Sequence, residues 1–464
     1  MIGLSCLRRL WMLYYQKEKI PEYDAVTQYR FSQGHIVGNL AKELFPSGIS
    51  CPEDFKENIV KTKELLKRKK PLFEAGLSAD DLYARADILV PAGDKWDIIE
   101  VKASTQVKEE HLDDVAFQKY VYEKVGLKIR KCFLLHINKE FVKKGPIEPK
   151  MFFVQEEITE DLATDTEENI KKMLEVLSHS KPPQDGCNLP KECIIKECWD
   201  FLPEHHVFHL YRGGKRSLEL YQNGIHALAD IPAGFKLNEK QQIQLNAVKH
   251  GPHIHKEKIK EFLAQLEKPI YYLDFETYST AVPLFEGCKP YQNIPFQFAL
   301  SCDGRKEGFL ASGKEDPRLQ FLIELKKVLG TSGSIVVYNQ GFEINRLKEL
   351  EENFPAYKRW VDEVIKRVVD LLVPFREFAY YHAEQNGSAS IKKVLPALTG
   401  KGYEEMEIAG GGDASVSFLE AEFGDVAEDE RQKIRKDLEK YCALDAQGMK
   451  MIVERLKEMT KSNY

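Results

Sequence analysis

The chain has 464 residues, of which 43% are hydrophobic, 30% are charged and 11% are aromatic, and its formal net charge is -6. This length exceeds what one hydrophobic core usually organises, so we expect at least two domains. The composition excludes a disordered chain, and no apolar run reaches the roughly 18 residues of a membrane span. The net charge excludes a uniformly basic nucleic-acid-binding coat, although basic runs at 61–70 and 128–131 could form a local track.

The first fifteen residues, MIGLSCLRRLWMLYY, superficially resemble a secretion signal. A signal carries its basic residues before the apolar stretch, whereas Arg8 and Arg9 interrupt this one and Cys6 comes too early. We therefore expect a cytoplasmic protein without a membrane partner. Nine cysteines in a cytosolic chain do not indicate a disulfide framework.

The pattern in the first half of the chain predicts an α/β domain over residues 1–205. Apolar residues recur at helical spacing in the first 45 residues. Two strand-like runs, 83–91 and 95–105, flank Ala-Gly-Asp and predict a hairpin. An amphipathic helix at 109–126 and a strand at 131–138 follow.

Residues 206–265 show weak, mixed signals, and we interpret them as a connector. A second α/β pattern then occupies residues 266–464. It predicts a strand at 269–277, further strands, and helices that include one long helix near the C-terminus.

Acidic residues in this second domain recur at spacings that place them on shared faces. Asp274 and Glu276 alternate along a strand, and Tyr441 and Asp445 are one helical turn apart. Glu343 lies where a strand leads into a helix. Carboxylates about 4 Å apart would repel by roughly 4 kcal/mol per pair at an effective dielectric constant near 20. Divalent cations such as Mg²⁺ or Mn²⁺ would relieve this repulsion, and two of them could hold a phosphodiester.

The Asp-x-Glu strand, the segment NQGFE at 339–343 and the Tyr-x-x-x-Asp helix together resemble the DEDD, or DnaQ-like, 3′→5′ exonucleases of the RNase H-like fold. The resemblance implies that Asp274, Glu276 and Asp445 are metal ligands and that Tyr441 orients the attacking water. Glu343 stands where the family has Asp, one methylene shorter, which could shift the metal geometry. Asp370 could be an accessory acid or a cap.

A second set of polar residues lies in the first domain. Asp87 ends an apolar strand, and Glu100 and Lys102 share one face of the next strand, where they could simply form an ion pair. Gln118 and Tyr122 lie one turn apart on the following helix. The set resembles the RecB-type branch of the PD-(D/E)xK nucleases. The resemblance implies that Asp87 and Glu100 bind a metal while the Lys102 ammonium polarises the attacking water.

This sequence departs from the RecB-type pattern in one respect. The branch often has a metal-binding histidine a few residues after a glycine, but His35 directly follows Gly34 and Gly38 occupies the later position. Glu74 could supply an additional acid instead. The departure suggests a weak or degenerate first site.

Cys187, Cys193 and Cys198 lie within twelve residues, and Cys6 lies near the N-terminus. Together they resemble the iron–sulfur staple of RecB-type and CRISPR-adaptation nucleases, which implies a [4Fe–4S] cluster that joins the ends of the domain. Four thiolates could equally bind zinc. The other five cysteines are interpreted as ordinary thiols.

The combination resembles a bacterial family catalogued as a domain of unknown function. It implies a PD-(D/E)xK iron–sulfur nuclease fused to a DnaQ-like exonuclease that acts on DNA in repair or defence. DNA is favoured over RNA as the partner, but no motif here encodes contacts to the 2′-position. A ribonuclease using the same acids, or a non-catalytic module that binds nucleic-acid ends for a helicase, are the alternatives. The aromatic segment 284–298 could stack on bases or pack in the core.

Overall fold

Residues 2–183, 193–404 and 406–461 are described in the computed structural model, and they have mixed α/β structure. The chain divides into two units. Residues 1–196 and 279–292 form the first, and residues 197–278 and 293–464 form the second.

A six-stranded mixed sheet organises the first unit, with its strands in sequence order. Strands β1 and β2 are parallel, as are β4 and β5, and the other neighbouring pairs are antiparallel. The strands are β1 (Ile49–Ser50), β2 (Leu72–Ala79), β3 (Leu82–Ala92), β4 (Lys95–Lys102), β5 (Ile129–Ile137) and β6 (Phe153–Glu157). The helices are α1 (Ile2–Ser5), α2 (Leu7–Tyr15), α3 (Ala25–Lys42), α4 (Phe55–Leu65), α5 (Glu109–Lys124), α6 (Pro149–Phe152) and α7 (Thr166–Ser178).

The elements predicted between residues 83 and 138 are confirmed. Ala92 pairs with Lys95 at the tip of the β3–β4 hairpin. Helix α5 then provides the crossover that two parallel strands require, from β4 to β5. The hairpin and the crossover together bring residues from β3, β4 and α5 to one region of the unit.

The second unit is built on a five-stranded sheet in the order β10-β9-β8-β11-β12, beside a two-stranded β7–β13 sheet. Strands β8, β9 and β10 are antiparallel, and β8, β11 and β12 are parallel. The strands are β7 (His253–Ile254), β8 (Tyr271–Tyr278), β9 (Ile294–Cys302), β10 (Arg305–Leu310), β11 (Ile335–Val337), β12 (Val368–Asp370) and β13 (Tyr380–Tyr381). The helices are α8 (Lys215–Gln222), α9 (Glu239–His250), α10 (Lys256–Leu263), α11 (Arg318–Val328), α12 (Gln340–Asn353), α13 (Lys358–Ile365), α14 (Val373–Arg376), α15 (Ile391–Thr399), α16 (Gly411–Phe423) and α17 (Glu428–Lys461).

Strand β8 is the middle strand of this sheet, and both of its faces are covered. Residues of β8, β11 and α17 form one apolar cluster, and residues of β8, β9 and α11 form another. Phe296 and Phe298 of the aromatic segment 284–298 are buried in β9 and therefore pack in the core, one of the two alternatives considered for that segment.

Residues 206–265 differ from the predicted connector. They contain α8, α9, β7 and α10, and they group with the second unit. Val207, Phe208, Leu220 and Leu228 form a small core of their own. Short helices with few apolar positions give a weak periodic signal, which explains why the sequence pattern did not predict them.

The boundaries also differ at residues 279–292, which follow β8 in sequence but group with the first unit. Within that unit, Gln33 accepts a hydrogen bond from the backbone of Ala281 at 2.8 Å, and Tyr29 donates one to the carbonyl of Ser279 at 3.0 Å. Across the described ranges, no helix combines the length and the apolar character that crossing a membrane requires.

Candidate functional sites

Two carboxylates project from the middle strand of the second unit. Asp274 and Glu276 are two residues apart in β8, so they leave the same face of the sheet. Helix α17 lies over this face. Gln297 of β9 donates to the carbonyl of Leu438 at 2.9 Å, and the Cys442 thiol lies 3.5 Å from Asp274 Oδ2.

Asp445 joins these two acids from α17. One ligand oxygen from each of Asp274, Glu276 and Asp445 lies within 4.8 Å of the other two. No other group of three or more His, Cys, Asp or Glu side chains meets this spacing in the described ranges. Glu276 and Asp445 are only 7% and 5% exposed, whereas Asp274 is partly exposed. We call these three residues the acidic group.

The acidic group is electrostatically strained. Burial, followed by the charge of Asp445, raises the pKa of Glu276 to about 8. Burial and the other acids raise the pKa of Asp274 well above its usual range. Burial also raises the pKa of Asp445, to about 6, although a hydrogen bond from Tyr403 and the charge of Lys392 oppose it. Without a counter-charge, the group therefore tends to retain protons near neutral pH.

Two tyrosines contact Asp445. Tyr403, in the segment after α15, donates a hydrogen bond to Asp445 Oδ1. Tyr441 lies one turn before Asp445 on α17, is 2% exposed, and also stabilises the charged carboxylate by hydrogen bonding. Burial and then the charge of Asp445 raise the pKa of both phenols. Sequence analysis identified Tyr441 but not Tyr403, because no local spacing connects Tyr403 to the acids.

Glu343 lies beside the acidic group but not within it. It occupies the first turn of α12 and is 3% exposed, and its Oε2 has no hydrogen-bond partner in the described structure. Burial, with a further contribution from Asp370, raises its pKa to about 8. Its charge in turn contributes to the raised pKa values of Asp274 and Glu276. The structure thus brings together three of the four predicted acids and places the fourth next to them.

Asp370 acts as a cap. Its Oδ1 accepts hydrogen bonds from the backbone of Asn339 at 2.9 Å and of Leu372 at 3.0 Å. Asn339 adopts a left-handed conformation with φ of 80°, which asparagine tolerates better than most residues. The cap fixes the turn at which β11 leads into α12, and it thereby sets the position of Glu343.

Lys392, in the first turn of α15, also belongs to this site. Its Nζ lies 4.9 Å from the ring centre of Tyr441 and 5.7 Å from that of Tyr403. Its charge lowers the pKa of both Glu276 and Asp445 against the effect of burial. Sequence analysis missed Lys392, since one lysine in a lysine-rich chain carries no signal.

In the first unit, the predicted polar residues form a connected network. Lys102 Nζ lies 2.7 Å from Glu100 Oε1 and 2.6 Å from Asp114 Oδ2. Gln118 donates to Glu100 Oε2 at 2.8 Å, and Asp87 accepts from the Val101 backbone at 2.7 Å. Asp114 was missed, although it precedes Gln118 by one turn of α5 and therefore shares its face.

The charges in this network partly compensate one another. Burial, followed by the charge of Asp87, raises the pKa of Glu100 to about 8. Burial also raises the pKa of Asp87, to about 6. Burial alone would lower the pKa of Lys102, but Glu100 and Asp114 outweigh it and raise the value. The ion pair with Lys102 and the predicted binding of a metal thus compete for the Glu100 carboxylate.

Tyr122 holds the sheet to α5. Its hydroxyl donates to the carbonyl of Ala75 in β2 and accepts from the backbone of Ala86 in β3 at 2.8 Å. Tyr122 is fully buried, whereas Gln118, on the same side of the helix, reaches Glu100. Of the Gln-x-x-x-Tyr pair, Gln118 therefore contacts a residue of the site, whereas Tyr122 stabilises the adjacent strands β2 and β3.

No group of three close metal-binding side chains in the described ranges includes His35 or Glu74, although burial, and also the charge of Glu74, raises the pKa of Asp87. His35 is exposed on α3. Glu74 forms ion pairs with Lys42 at 3.1 Å and Arg85 at 3.4 Å, and it has a φ of 55° between two regularly paired positions of β2.

The predicted cysteine ligands are only partly described, because Cys187 lies outside the described residues. Cys6, Cys193 and Cys198 are half-buried. The five cysteines interpreted as ordinary thiols are all buried: Cys51, Cys132, Cys288, Cys302 and Cys442. Cys6 caps α2, where its sulfur accepts from the backbone of Arg9 at 3.4 Å.

The chain that leads toward the cysteine segment packs beside α2. Trp11 donates to the carbonyl of His179 at 2.8 Å, and Tyr15 donates to that of Leu177 at 2.5 Å. The start of the first unit therefore contacts the end of α7 and the residue after it.

Comparison with known proteins finds relatives of uncharacterised role. Residues 271–390 match the family model of a domain of unknown function (DUF2779), a match that begins at the first residue of β8. The chain is 26% identical over 230 residues to the uncharacterized protein MG366 of Mycoplasma genitalium, covering 44% of this chain and 34% of that protein. It is 28% identical over 225 residues to the MG366 homolog of Mycoplasma pneumoniae, and the match covers 41% of this chain and 32% of that protein.

A third similar protein is the uncharacterized protein UU173 of Ureaplasma parvum, with 26% identity over 215 residues, which are 41% of this chain and 31% of that protein. The matched part of the chain thus spans about a third of the length of these relatives. No solved structure matches.

The raised pKa of Glu276 predicts a pH-dependent effect of Glu276→Gln on the metal-free protein. Between the ordinary pKa of 4.5 and the folded-state pKa of about 8, folded Glu276 retains a proton that the unfolded chain has lost. Its contribution to stability therefore falls as pH rises across this range, by about 1.4 kcal/mol per pH unit at most. Thermal melts with EDTA should show similar stability for both proteins near about pH 4, and a variant more stable than wild type near about pH 8.

Glu439→Gln, at an exposed position of α17, serves as the control and should show no such divergence. Equal melting temperatures of wild type and Glu276→Gln at both pH values would contradict the proposed strain in the acidic group.

The position of Tyr122 predicts that Tyr122→Phe destabilises the first unit. The change removes the hydroxyl as hydrogen-bond partner of two buried backbone groups, at a cost of about 1–3 kcal/mol for each group that is left unsatisfied. Hydrogen exchange followed by mass spectrometry should show faster exchange in β2 and β3 than in wild type. Tyr120→Phe on the same helix should leave the exchange unchanged, and unchanged exchange in Tyr122→Phe would show that the hydroxyl is dispensable.

Proposed function

We propose that this protein is a metal-dependent phosphodiester hydrolase whose C-terminal site is a 3′→5′ exonuclease acting on DNA in repair or defence. The observation that carries the proposal is the meeting of Asp274, Glu276 and Asp445 on one face of the second sheet. Nearby buried carboxylates repel one another strongly, and oxygen-only ligands favour hard cations such as Mg²⁺ and Mn²⁺.

The donor set fits such a cation. All three residues of the acidic group offer carboxylate oxygens, and Glu276 has a pKa raised to about 8 that a bound cation would lower. The buried Oε2 of Glu343, unpartnered within the described residues, supplies a further acceptor beside them. A cation held by these residues would neutralise negative charge and polarise the phosphodiester.

The chain's own residues have separable roles in this proposal. Tyr441, which stabilises the charged form of Asp445 by hydrogen bonding, would orient the attacking water, as the resemblance to DnaQ-like enzymes implies. Tyr403, in the segment after α15, donates a hydrogen bond to Asp445 and thereby fixes the orientation of its carboxylate. Asp274 is partly exposed and is therefore the acid that substrate can reach. The five-stranded sheet with β8 in the middle supports an RNase H-like domain.

We propose that the first unit holds a second, PD-(D/E)xK-type nuclease site on Asp87, Glu100 and Lys102. The connected carboxylates and the ammonium support this role. A cation on Asp87 and Glu100 would have to compete with the Lys102 ion pair for Glu100. Buried Gln118 Oε1, which has no hydrogen-bond partner in the described residues, adds one neutral acceptor.

We further propose that Cys6, Cys187, Cys193 and Cys198 bind a [4Fe–4S] cluster. The support is the difference in burial: the three described members are half-buried, whereas the ordinary thiols are buried. Helix α2, which Cys6 caps, also packs against residues 177–179, eight residues before Cys187 in the sequence.

The cluster proposal predicts iron in the purified protein. Anaerobically purified full-length chain should be brown and contain about four irons per molecule. Cys193→Ala should lose the iron and become protease-sensitive in the first unit, because metal binding and folding are coupled. Cys51→Ala, at a buried ordinary thiol, is the control and should retain the iron. Stoichiometric zinc in place of iron would establish the alternative metal.

The exonuclease proposal predicts that Asp274→Asn abolishes stepwise digestion and leaves the fold intact. The amide preserves the shape but removes a charge from the centre of the acidic group. The assay uses end-labelled single- and double-stranded DNA and RNA with Mg²⁺ or Mn²⁺, in a Lys102→Ala background that inactivates the first site. The RNA arms decide between a deoxyribonuclease and a ribonuclease.

Lys102→Ala alone should retain the stepwise product ladder, and adding Glu439→Gln should not alter it. Retained digestion in the Asp274→Asn, Lys102→Ala double variant would eliminate the C-terminal assignment. Absence of any digestion by the wild-type protein would instead favour a module that binds nucleic-acid ends.

A further inference from the structure

Lys392 is a positive charge held beside the acidic group without forming an ion pair with it. Its Nζ lies over the ring of Tyr441 at 4.9 Å and donates to the carbonyl of Ala409 at 2.5 Å. None of the described carboxylates lies within 4 Å of this nitrogen, although its charge influences both Glu276 and Asp445. The side chain is only half-buried, so a ligand can reach it.

Close packing of two helices fixes this position. A Cβ at Gly448 of α17 would lie 2.8 Å from Leu395 of α15, so α15 approaches α17 closely at this glycine. Leu395 is three residues after Lys392, and Gly448 is three residues after Asp445. The helix contact therefore sets the distance of the lysine from the acid.

In the first unit, a lysine neutralises nearby carboxylates through direct ion pairs. There, Lys102 contacts Glu100 at 2.7 Å and Asp114 at 2.6 Å directly. Within the described structure, Lys392 instead donates a hydrogen bond to the backbone carbonyl of Ala409. An ammonium has three N–H donors, so two remain for a ligand. The geometry thus keeps a charged donor available at the edge of the acidic group.

The glycine-rich start of α16 lies at the same edge. A Cβ at Gly410 would come 3.2 Å from Lys392 Nζ, and one at Gly411 would come 3.4 Å from Glu276 Oε2. The absence of side chains at these two positions leaves room around the ammonium. The partial positive charge of the helix start adds to that of Lys392, while the Asp413 carboxylate in the first turn of α16 lies 3.7 Å from the same Cβ position at Gly410.

We propose that Lys392 is a further catalytic residue of the C-terminal site, where its ammonium binds a non-bridging oxygen of the scissile phosphate. This inference rests on the proposed exonuclease function. In the reaction, a water oxygen bonds to phosphorus and the bond from phosphorus to the leaving oxygen breaks. The proton lost by the water is balanced by the proton gained by the leaving oxygen. Lys392 forms no covalent bond, and it stabilises the negative charge on the phosphate oxygens.

The test compares Lys392→Met with Lys392→Arg and with Lys393→Met, a matched change at the exposed neighbouring position. Turnover and KM are measured on a single-stranded DNA oligonucleotide with Mg²⁺ in the Lys102→Ala background, and Mn²⁺ affinity is measured by calorimetry. Lys392→Met should lower kcat by about 100-fold, the loss typical of one transition-state donor. Lys392→Arg should recover much of the activity, and Lys393→Met should match its Lys102→Ala parent.

The measured Mn²⁺ affinity distinguishes a catalytic role of Lys392 from a structural role in positioning the acidic group. Removing a positive charge near the acidic group should leave Mn²⁺ affinity unchanged or tighter in Lys392→Met. Unchanged kcat in that variant, or a loss accompanied by weaker Mn²⁺ binding or a lower melting temperature, would overturn the inference. Lys392→Gln replaces the methionine variant if the latter fails to fold.

The two proposals fail in different ways. If the Lys102→Ala parent digests DNA and depends on Asp274 while Lys392→Met is fully active, only the role of Lys392 is wrong. If the parent does not digest nucleic acid at all, the exonuclease function itself is wrong.

Discussion

Mutual repulsion among three closely spaced carboxylates is the constraint on which the second half of this protein depends. Asp274 and Glu276 are fixed by the middle strand of a sheet covered on both faces, and Asp445 is fixed by a 34-residue helix packed across it. None of these elements can move apart without exposing core residues. The repulsion must therefore be relieved by protons, by hydrogen bonds from Tyr403 and Tyr441, or by a cation.

The two units relieve acidic repulsion in different ways. In the first unit, Lys102 bridges Glu100 and Asp114, so the network carries its own counter-charge. In the second unit, Lys392 remains outside ion-pair distance of every described carboxylate and contacts tyrosine rings instead. The first arrangement partly compensates its own charge, whereas the acidic group of the second forms no ion pair within the described residues and leaves a demand for positive charge that a ligand can satisfy. This difference is why we propose the exonuclease activity for the second unit.

Sequence analysis predicted the parts of the sites that depend on regular periodicity. Alternation along β8 places Asp274 and Glu276 on one face, and the four-residue spacing on α17 does the same for Tyr441 and Asp445. The resemblance to DnaQ-like exonucleases then implied that the two pairs belong to one site. Asp114 carried a similar signal, since it lies one turn from Gln118 on α5, but it was overlooked.

Residues positioned by irregular segments could not be predicted in this way. Tyr403 follows α15 in a stretch without regular structure, and Lys392 depends on a helix contact at Gly448 that no local pattern encodes. Glu343 was expected among the metal ligands. Its location beside the acidic group depends on the left-handed Asn339 and on the Asp370 cap, which determine how α12 begins.

Calorimetric titration of the full chain with Mn²⁺ at about pH 7, in two buffers of different ionisation enthalpy, counts the protons released on binding and so shows whether a cation replaces protons in the acidic group. The account predicts tight binding with release of protons from Glu276 and its neighbours, and the loss of that component in a Glu276→Gln, Asp445→Asn double variant. Proton release and binding that are identical in wild type and the double variant would contradict the account.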